Sequence, residues 1–198
     1  MAIKTIICDL SDVLIKGIEG IESKISKKIG VSEEKISDKL YMFDFSPLWL
    51  GKVTEDEFIH SLLSSSPQYD LSITDFKQMI REHFIEIEGT REIYERLGSK
   101  YELILLSVNS KEWVQYMENH FDYERLFNIV IYSYDIGYVK RQKESFRYVL
   151  SKYNLNSEEV LLIDDSQRNI NTAATLGIKT LRFVNSNQLK KDLERLAI

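Results

Sequence analysis

Five short runs of this chain are apolar almost without interruption, and that feature most narrows what it can fold into. They span Lys4 to Cys8, Glu102 to Leu106, Asn128 to Tyr132, Val160 to Ile163 and Lys179 to Phe183. A strand with one face in water alternates apolar and polar residues. A strand apolar throughout needs cover on both faces, as in a parallel sheet. Helical spacing supplies that cover. Trp113, Tyr116, Met117, His120 and Phe121 recur at it, as do Phe146, Val149, Leu150 and Tyr153. Ile170, Ala173, Ala174 and Gly177 repeat the pattern with small residues, implying a helix held close to the sheet, and Leu189, Leu193 and Leu196 mark a closing helix. Strand alternating with helix predicts an α/β fold, a doubly wound parallel sheet of five strands.

One interval breaks the rhythm. More than ninety residues separate Cys8 from Glu102, far beyond an ordinary crossover. Ser32 begins a helix with Glu33 and Glu34 in its first turn, and Thr54 with Glu57 forms a capping box. Phe58, Ile59, Leu62 and Leu63 give one amphipathic face; Phe76, Met79, Ile80, His83 and Phe84 give another. Ser64 to Pro67 reads as a loop between them, and Thr90 caps the helix that returns to the sheet. The expected organisation is a sheet core of residues 1–14 and 87–198, interrupted by a helical subdomain of residues 15–86 lying over the strand ends.

Composition removes other classes. With 31 acidic against 26 basic side chains the net charge is −5, the wrong sign for a nucleic-acid binder. The lone Cys8 excludes an internal disulfide and a cysteine-based zinc site. The run from Ile3 to Leu10 is too short and too charged for a signal peptide, and nothing approaches the roughly 20 apolar residues of a membrane span. The expectation is a cytoplasmic protein without membrane or nucleic-acid partners. His60, His83 and His120 lie far apart and read as structural.

Open α/β sheets bind ligands outside the carboxyl ends of their strands. Here those ends carry Asp9-Leu10-Ser11-Asp12, Ser107-Val108-Asn109-Ser110 and Asp164-Asp165-Ser166, with Lys140 a few residues past the third strand. Singly, each reads as a turn or a helix cap. Together they are an aspartate, a hydroxyl, a lysine and two carboxylates, the parts that phosphoryl transfer requires: an anionic nucleophile, carboxylates for a magnesium ion, and donors for phosphoryl oxygens.

In this order the motifs resemble those of the haloacid dehalogenase-like (HAD) hydrolases. Ile6-Ile7-Cys8-Asp9-Leu10-Ser11-Asp12-Val13-Leu14 matches the first motif, Leu103 to Ser107 the second, Gly137-Tyr138-Val139-Lys140 the third and Leu162 to Asn169 the fourth. The inserted region is similar to the family's helical cap. Within it, Leu48 to Phe58 resembles a branch containing sugar-phosphate phosphatases. The resemblance implies that Asp9 is the nucleophile, that Ser107 and Lys140 bind phosphoryl oxygens, and that Asn109 belongs with them to the phosphate-binding set. It implies Mg2+ held by Asp9, Asp165 and the Ser11 backbone carbonyl, with Asp164 a direct or water-mediated ligand. Asn109 either supports the phosphate-binding loop by hydrogen bonding or is purely structural, and the same holds for Asn169.

One residue departs from the pattern. At Ser11 the family's phosphatases commonly carry the aspartic acid that protonates the leaving oxygen, and serine does no general acid–base work at neutral pH. Asp12 is not the expected substitute, because neighbours on an extended chain point to opposite sides. The implied activity is a magnesium-dependent phosphatase acting on a small phosphorylated metabolite, such as a sugar phosphate. The alternatives are a 2-haloacid dehalogenase, which uses an aspartate nucleophile without metal, and a non-catalytic phosphate- or partner-binding relative. Tyr41, Phe43, Phe45 and Trp49 are expected in the cap's own core rather than on the pocket.

Overall fold

The apolar runs form β1 (Thr5–Cys8), β2 (Glu102–Ser107), β3 (Ile129–Tyr132), β4 (Val160–Asp164) and β5 (Lys179–Arg182). In the computed structural model, which describes residues 2–65 and 70–198, these five strands pair in parallel in the order β3-β2-β1-β4-β5. The absence of alternation has the expected cause. Ile6, Cys8, Leu103, Leu105, Leu161 and Ile163 pack on one face of the sheet, and Ile7, Ile104, Leu106, Leu162 and Val160 pack on the other. Both faces are dry at β1, β2 and β4, so both sets are apolar there; the expectation fails at β5, an edge strand whose Lys179 and Arg182 are exposed.

Between β1 and β2 the chain folds α1 (Ile21–Ile29), α2 (Glu33–Met42), α3 (Ser46–Trp49), α4 (Glu55–Ser64) and α5 (Ile73–Arg81), then returns through α6 (Thr90–Gly98). After β2 comes α7 (Lys111–Phe121); α8 (Ser133–Ile136) and α9 (Lys143–Lys152) follow β3, α10 (Gln167–Ala174) follows β4, and α11 (Ser186–Arg195) closes the chain. The core on the Ile6 face continues without a break into Ile21, Ile25, Ile36, Phe58 and Phe76 of the inserted helices. Exit and re-entry share one neck. Ile15 pairs antiparallel with Glu86, Lys16 N–H donates to the Ile85 carbonyl at 2.8 Å, and Ile87 N–H donates to that of Leu14 at 2.8 Å.

Local expectations fare unevenly. The capping box is present: Glu57 N–H donates to Thr54 Oγ1 at 3.2 Å and Thr54 N–H to Glu57 Oε2 at 2.8 Å. Ser32 stands before α2, but its side chain caps nothing. Thr90 is corrected. It is the first residue inside α6, with a buried hydroxyl that has no partner, and the preceding Gly89 takes the cap position at φ 81°, a backbone that glycine enters without steric cost. Ser64 ends α4 and Ser65 turns away; Ser66 and Pro67, the rest of the expected loop, lie outside the described residues. The amphipathic α1, with Ile21 and Ile25 buried, lies within the expected helical subdomain, in a stretch where no separate helix signal stands out.

Candidate active site

Strand register brings the polar ends together. Cys8 pairs with Leu105 on one side and Ile163 on the other, so the residues after β1 emerge between the ends of β2 and β4. Asp9 N–H donates to the Ile163 carbonyl at 3.0 Å, and Asp9 Oδ1 accepts the Leu10 N–H at 2.7 Å. Asp164 is the last residue of β4 and Ser107 the last of β2. All three are buried.

Lys140 reaches this point through a short detour. After β3 the chain makes the single helical turn α8 and reverses at Gly137, whose φ of 74° ends it. Lys140 is then only 2% exposed, with Nζ 2.5 Å from Asp9 Oδ2 and 2.7 Å from Asp164 Oδ2. Burial works against the ammonium, yet Asp164 and Asp9 outweigh it and hold Lys140 above its ordinary value. Burial pushes Asp9 up, Asp164 and Asp165 add to that, and Lys140 opposes it.

The two adjacent carboxylates differ in occupation. Asp164 Oδ1 accepts Ser166 N–H at 2.9 Å and Asn169 Nδ2 at 3.0 Å, while its Oδ2 faces Lys140. Asp165 is half-buried, and burial followed by the Asp164 charge raises it. Carboxylate oxygens of Asp9, Asp164 and Asp165 lie within 4.8 Å of one another. An all-oxygen donor set of this size suits a small hard cation such as magnesium.

Two hydroxyls stand in different states. Ser107 Oγ is buried with no hydrogen-bond partner, leaving its donor uncommitted. Ser11 Oγ accepts from Asn109 Nδ2 at 3.2 Å, so Ser11 is tied to the loop after β2. Asn109 also accepts the Ser110 N–H at 3.0 Å, and Ser110 Oγ caps α7 by accepting the Trp113 N–H at 3.2 Å. Asn169 holds Asp164 and Asn109 holds Ser11; both amides brace the loops.

Asp12 corrects an expectation. The chain is not extended there: φ is 57°, the left-handed region, and the carboxylate accepts the Gly17 N–H at 2.9 Å. Asp12 thereby joins Glu19 and Asp165 in a second acidic group within 4.8 Å. Burial, with Asp165 and Glu19 adding, pushes its carboxyl up to about 6. No histidine joins either group as a candidate ligand among the described residues: His60 and His120 are exposed, and His83 Nε2 is taken up by the backbone carbonyl of Glu19 at 2.9 Å.

A cavity of about 580 Å³ lies between the strand ends and α1 to α3. Tyr41, Phe43, Phe45 and Trp49 all line it, contrary to their expected place in the cap core, although Phe43 and Phe45 also pack on Phe58. A neighbouring cleft of about 230 Å³ is lined by Lys140, Val108, Ser166 and Asn169, and it shares Trp49 and Arg141 with the larger space. Sequence reasoning missed Ser133. Its buried hydroxyl donates to the Trp49 carbonyl at 2.5 Å and accepts the Asn109 N–H at 3.2 Å, linking the inserted helices to the loop after β2. A serine opening a one-turn helix carries no sequence signal for that link.

The model of the family described as haloacid dehalogenase-like hydrolase matches residues 22–183. Among curated proteins, the chain is 22% identical over 212 residues to drimenol cyclase drtB of Aspergillus calidoustus, covering 98% of this chain and 36% of that protein. It is 23% identical over 148 residues to a chloroplast flavin mononucleotide hydrolase of Arabidopsis thaliana, covering 75% of this chain and 60% of that one. The chain thus spans less than two thirds of the length of these curated relatives. A HAD-family enzyme from Bacteroides thetaiotaomicron, solved as a magnesium complex, superposes with a TM-score of 0.81 at 24% identity, covering 98% of this chain and all of that one. That likeness establishes the fold.

Proposed function

The chain belongs to the haloacid dehalogenase-like hydrolase family, and from that we propose that it is a magnesium-dependent phosphatase of a small phosphorylated metabolite, with residues 15–86 serving as its cap. The observation that carries this reading is the convergence of Asp9, Asp164 and Asp165 within 4.8 Å, with the Lys140 ammonium against two of them. The flavin mononucleotide hydrolase relative also supports it, since that protein's name describes a phosphate ester substrate.

Asp9 is the nucleophile. Its carboxylate oxygen attacks phosphorus, the P–O bond to the substrate alcohol breaks, and the bonding pair departs on the alcohol oxygen. Water then attacks the phosphorus of the aspartyl-phosphate, the acyl P–O bond breaks, and inorganic phosphate leaves with Asp9 restored. Lys140 and the uncommitted Ser107 hydroxyl serve the phosphoryl oxygens as charge accumulates on them. Asp164 positions Lys140, and Asn109 positions Ser11 and the loop that carries Ser107. Asp9, Asp165 and the Ser11 carbonyl would hold magnesium, with Asp164 direct or through water, and the ion would supply positive charge against the phosphoryl group. Because Ser11 offers no acid, the alcohol oxygen takes its proton from solvent, which favours substrates whose leaving oxygen tolerates negative charge.

Hydrolysis of 4-nitrophenyl phosphate, measured with and without magnesium and in Asp9→Asn, tests the reading. Activity that requires both the metal and Asp9 is expected. Activity surviving EDTA or Asp9→Asn overturns it, and halide release from a 2-haloacid in place of phosphate release assigns the nucleophile to dehalogenation.

A further inference from the structure

The cavity beside the phosphate cleft has a composition of its own. Its walls carry Tyr41, Phe43, Phe45 and Trp49, and the Phe45 and Trp49 rings stack with centroids 5.3 Å apart. Its charged residues are Asp12, Glu19, Glu22 and Asp44 against a single cation, Arg141. Arg141 is already engaged, with Nη2 donating to Ser46 Oγ at 2.7 Å. Among the lining residues there is no serine, threonine, asparagine or glutamine, so apart from Arg141, the Tyr41 hydroxyl and the Trp49 indole its polar side chains are all carboxylates.

We propose that this cavity selects the alcohol part of the substrate and that it takes an organic cation: an ammonium group on an apolar or aromatic body. This assignment rests on the phosphatase reading, and it names the substrate class for that site. Aromatic faces attract cations through their quadrupole, and carboxylates nearby add a direct attraction. A phosphate ester bearing a second anion on its alcohol meets four carboxylates and a site with one committed arginine. The negative field is felt inside the cavity wall itself, where Glu19, Glu22 and Asp12 add to burial in raising the Tyr41 hydroxyl.

The geometry fits one molecule across both spaces. Trp49 and Arg141 line the cleft at Lys140 and the larger cavity alike, so the two spaces adjoin, and a phosphoryl group held at Lys140 has the larger cavity next to it for its alcohol. The larger space, about 580 Å³, lies in the range of ordinary small-molecule pockets. Tyr41 and Met42, which also line it, are 73% and 86% exposed, so the space is open to solvent on their side.

Three aryl phosphates with matched leaving groups test this: 4-(2-aminoethyl)phenyl, 4-ethylphenyl and 4-(2-carboxyethyl)phenyl phosphate, with glucose 6-phosphate as a sugar arm. Because the three phenols ionise alike, differences in kcat/KM report the distal group. The expected order is ammonium above ethyl above carboxylate, with the first step about tenfold at low salt and smaller at high salt. Glu22→Gln and Glu19→Gln are each expected to shrink the ratio of ammonium to ethyl substrate, through KM. Equal values, a reversed order, or preference for glucose 6-phosphate overturns the proposal. Calorimetric binding of the free alcohols separates its failure from that of the phosphatase reading. If no ester is hydrolysed with magnesium but 4-(2-aminoethyl)phenol binds more tightly than 4-ethylphenol, the phosphatase reading falls and the cation site stands; if the two phenols bind equally, the cation site falls.

Discussion

At the scale of single residues, Ser11 separates what the site binds from what it can do. Its hydroxyl is occupied, accepting from Asn109, so it serves the loop after β2 rather than the leaving oxygen. Asp12, one residue on, turns through a left-handed backbone and spends its carboxylate on the Gly17 N–H, so it is no simple replacement acid either. Placing an acid at position 11 restores a proton donor without removing the amide contact, since an aspartate also accepts from Asn109. Ser11→Asp is therefore expected to raise kcat on alkyl phosphates by at least about tenfold, short of the roughly 10²–10⁴-fold of a fully positioned general acid, with little change on 4-nitrophenyl phosphate. Steady-state kinetics on the two substrate types decides it. A uniform loss across both shows that added negative charge beside Asp9, Asp12 and Asp165 outweighs the donor.

At the scale of elements, the inserted helices are fastened to the sheet core by a buried charge. Glu55, the first residue of α4, is 1% exposed; its Oε1 accepts Trp113 Nε1 from α7 at 2.7 Å, and its Oε2 takes Arg81 of α5 at 2.5 Å. Arg81 in turn lies 5.2 Å over the Tyr116 ring of α7. Glu55→Leu strands the arginine and the indole N–H together, and breaking a buried pair from one side costs about 3–5 kcal/mol. Urea denaturation is expected to show that loss, with Arg81→Met added to Glu55→Leu recovering part of it. A loss below about 1 kcal/mol places the pair among exposed ion pairs of little weight. The joint also marks where the sequence stops being legible. The Thr54–Glu57 box could be read because both partners lie within one turn, and the strands because burial on both faces leaves a local apolar run. Glu55 lies 58 residues from Trp113, and Ser133 lies 84 from Trp49, so nothing local announces either contact. Asp9, Lys140 and Asp164 were legible as strand-end residues; that one ammonium bridges both aspartates was not, because register and the turn at Gly137 set it.

At the scale of the whole molecule, the site sets a pH dependence opposite to that of the surface. Asp9, Asp12 and Asp165 are all raised, each with burial as the leading cause, so the folded chain holds protons there that an unfolded chain releases. Stability then falls as pH rises from the ordinary carboxylate value near about 3.9 through the raised ones, and the Asp12 penalty is complete above about 6. On the surface, Asp44, Glu57 and Asp75 are lowered by hydrogen bonds from Ser46, Thr54 and Ser72, and their contribution is lost only as pH falls below the ordinary range. The two windows do not coincide. A divalent cation among Asp9, Asp164 and Asp165 competes with the protons of the raised group, so its stabilisation grows with pH. The metal-free protein is expected to unfold at a lower temperature at pH 7.5 than at pH 5.5, with magnesium raising the midpoint more at pH 7.5. At a hundredfold excess over Kd the gain is about 2.7 kcal/mol, on the order of 5–10 °C for a chain of this length. Asp165→Asn, which relieves the repulsion and removes a ligand, is expected to raise the metal-free midpoint at pH 7.5 and to shrink the magnesium shift. Differential scanning calorimetry on both proteins at both pH values measures each quantity. A magnesium shift equal at the two pH values, or unchanged in Asp165→Asn, removes the carboxylate group as the place where the ion acts.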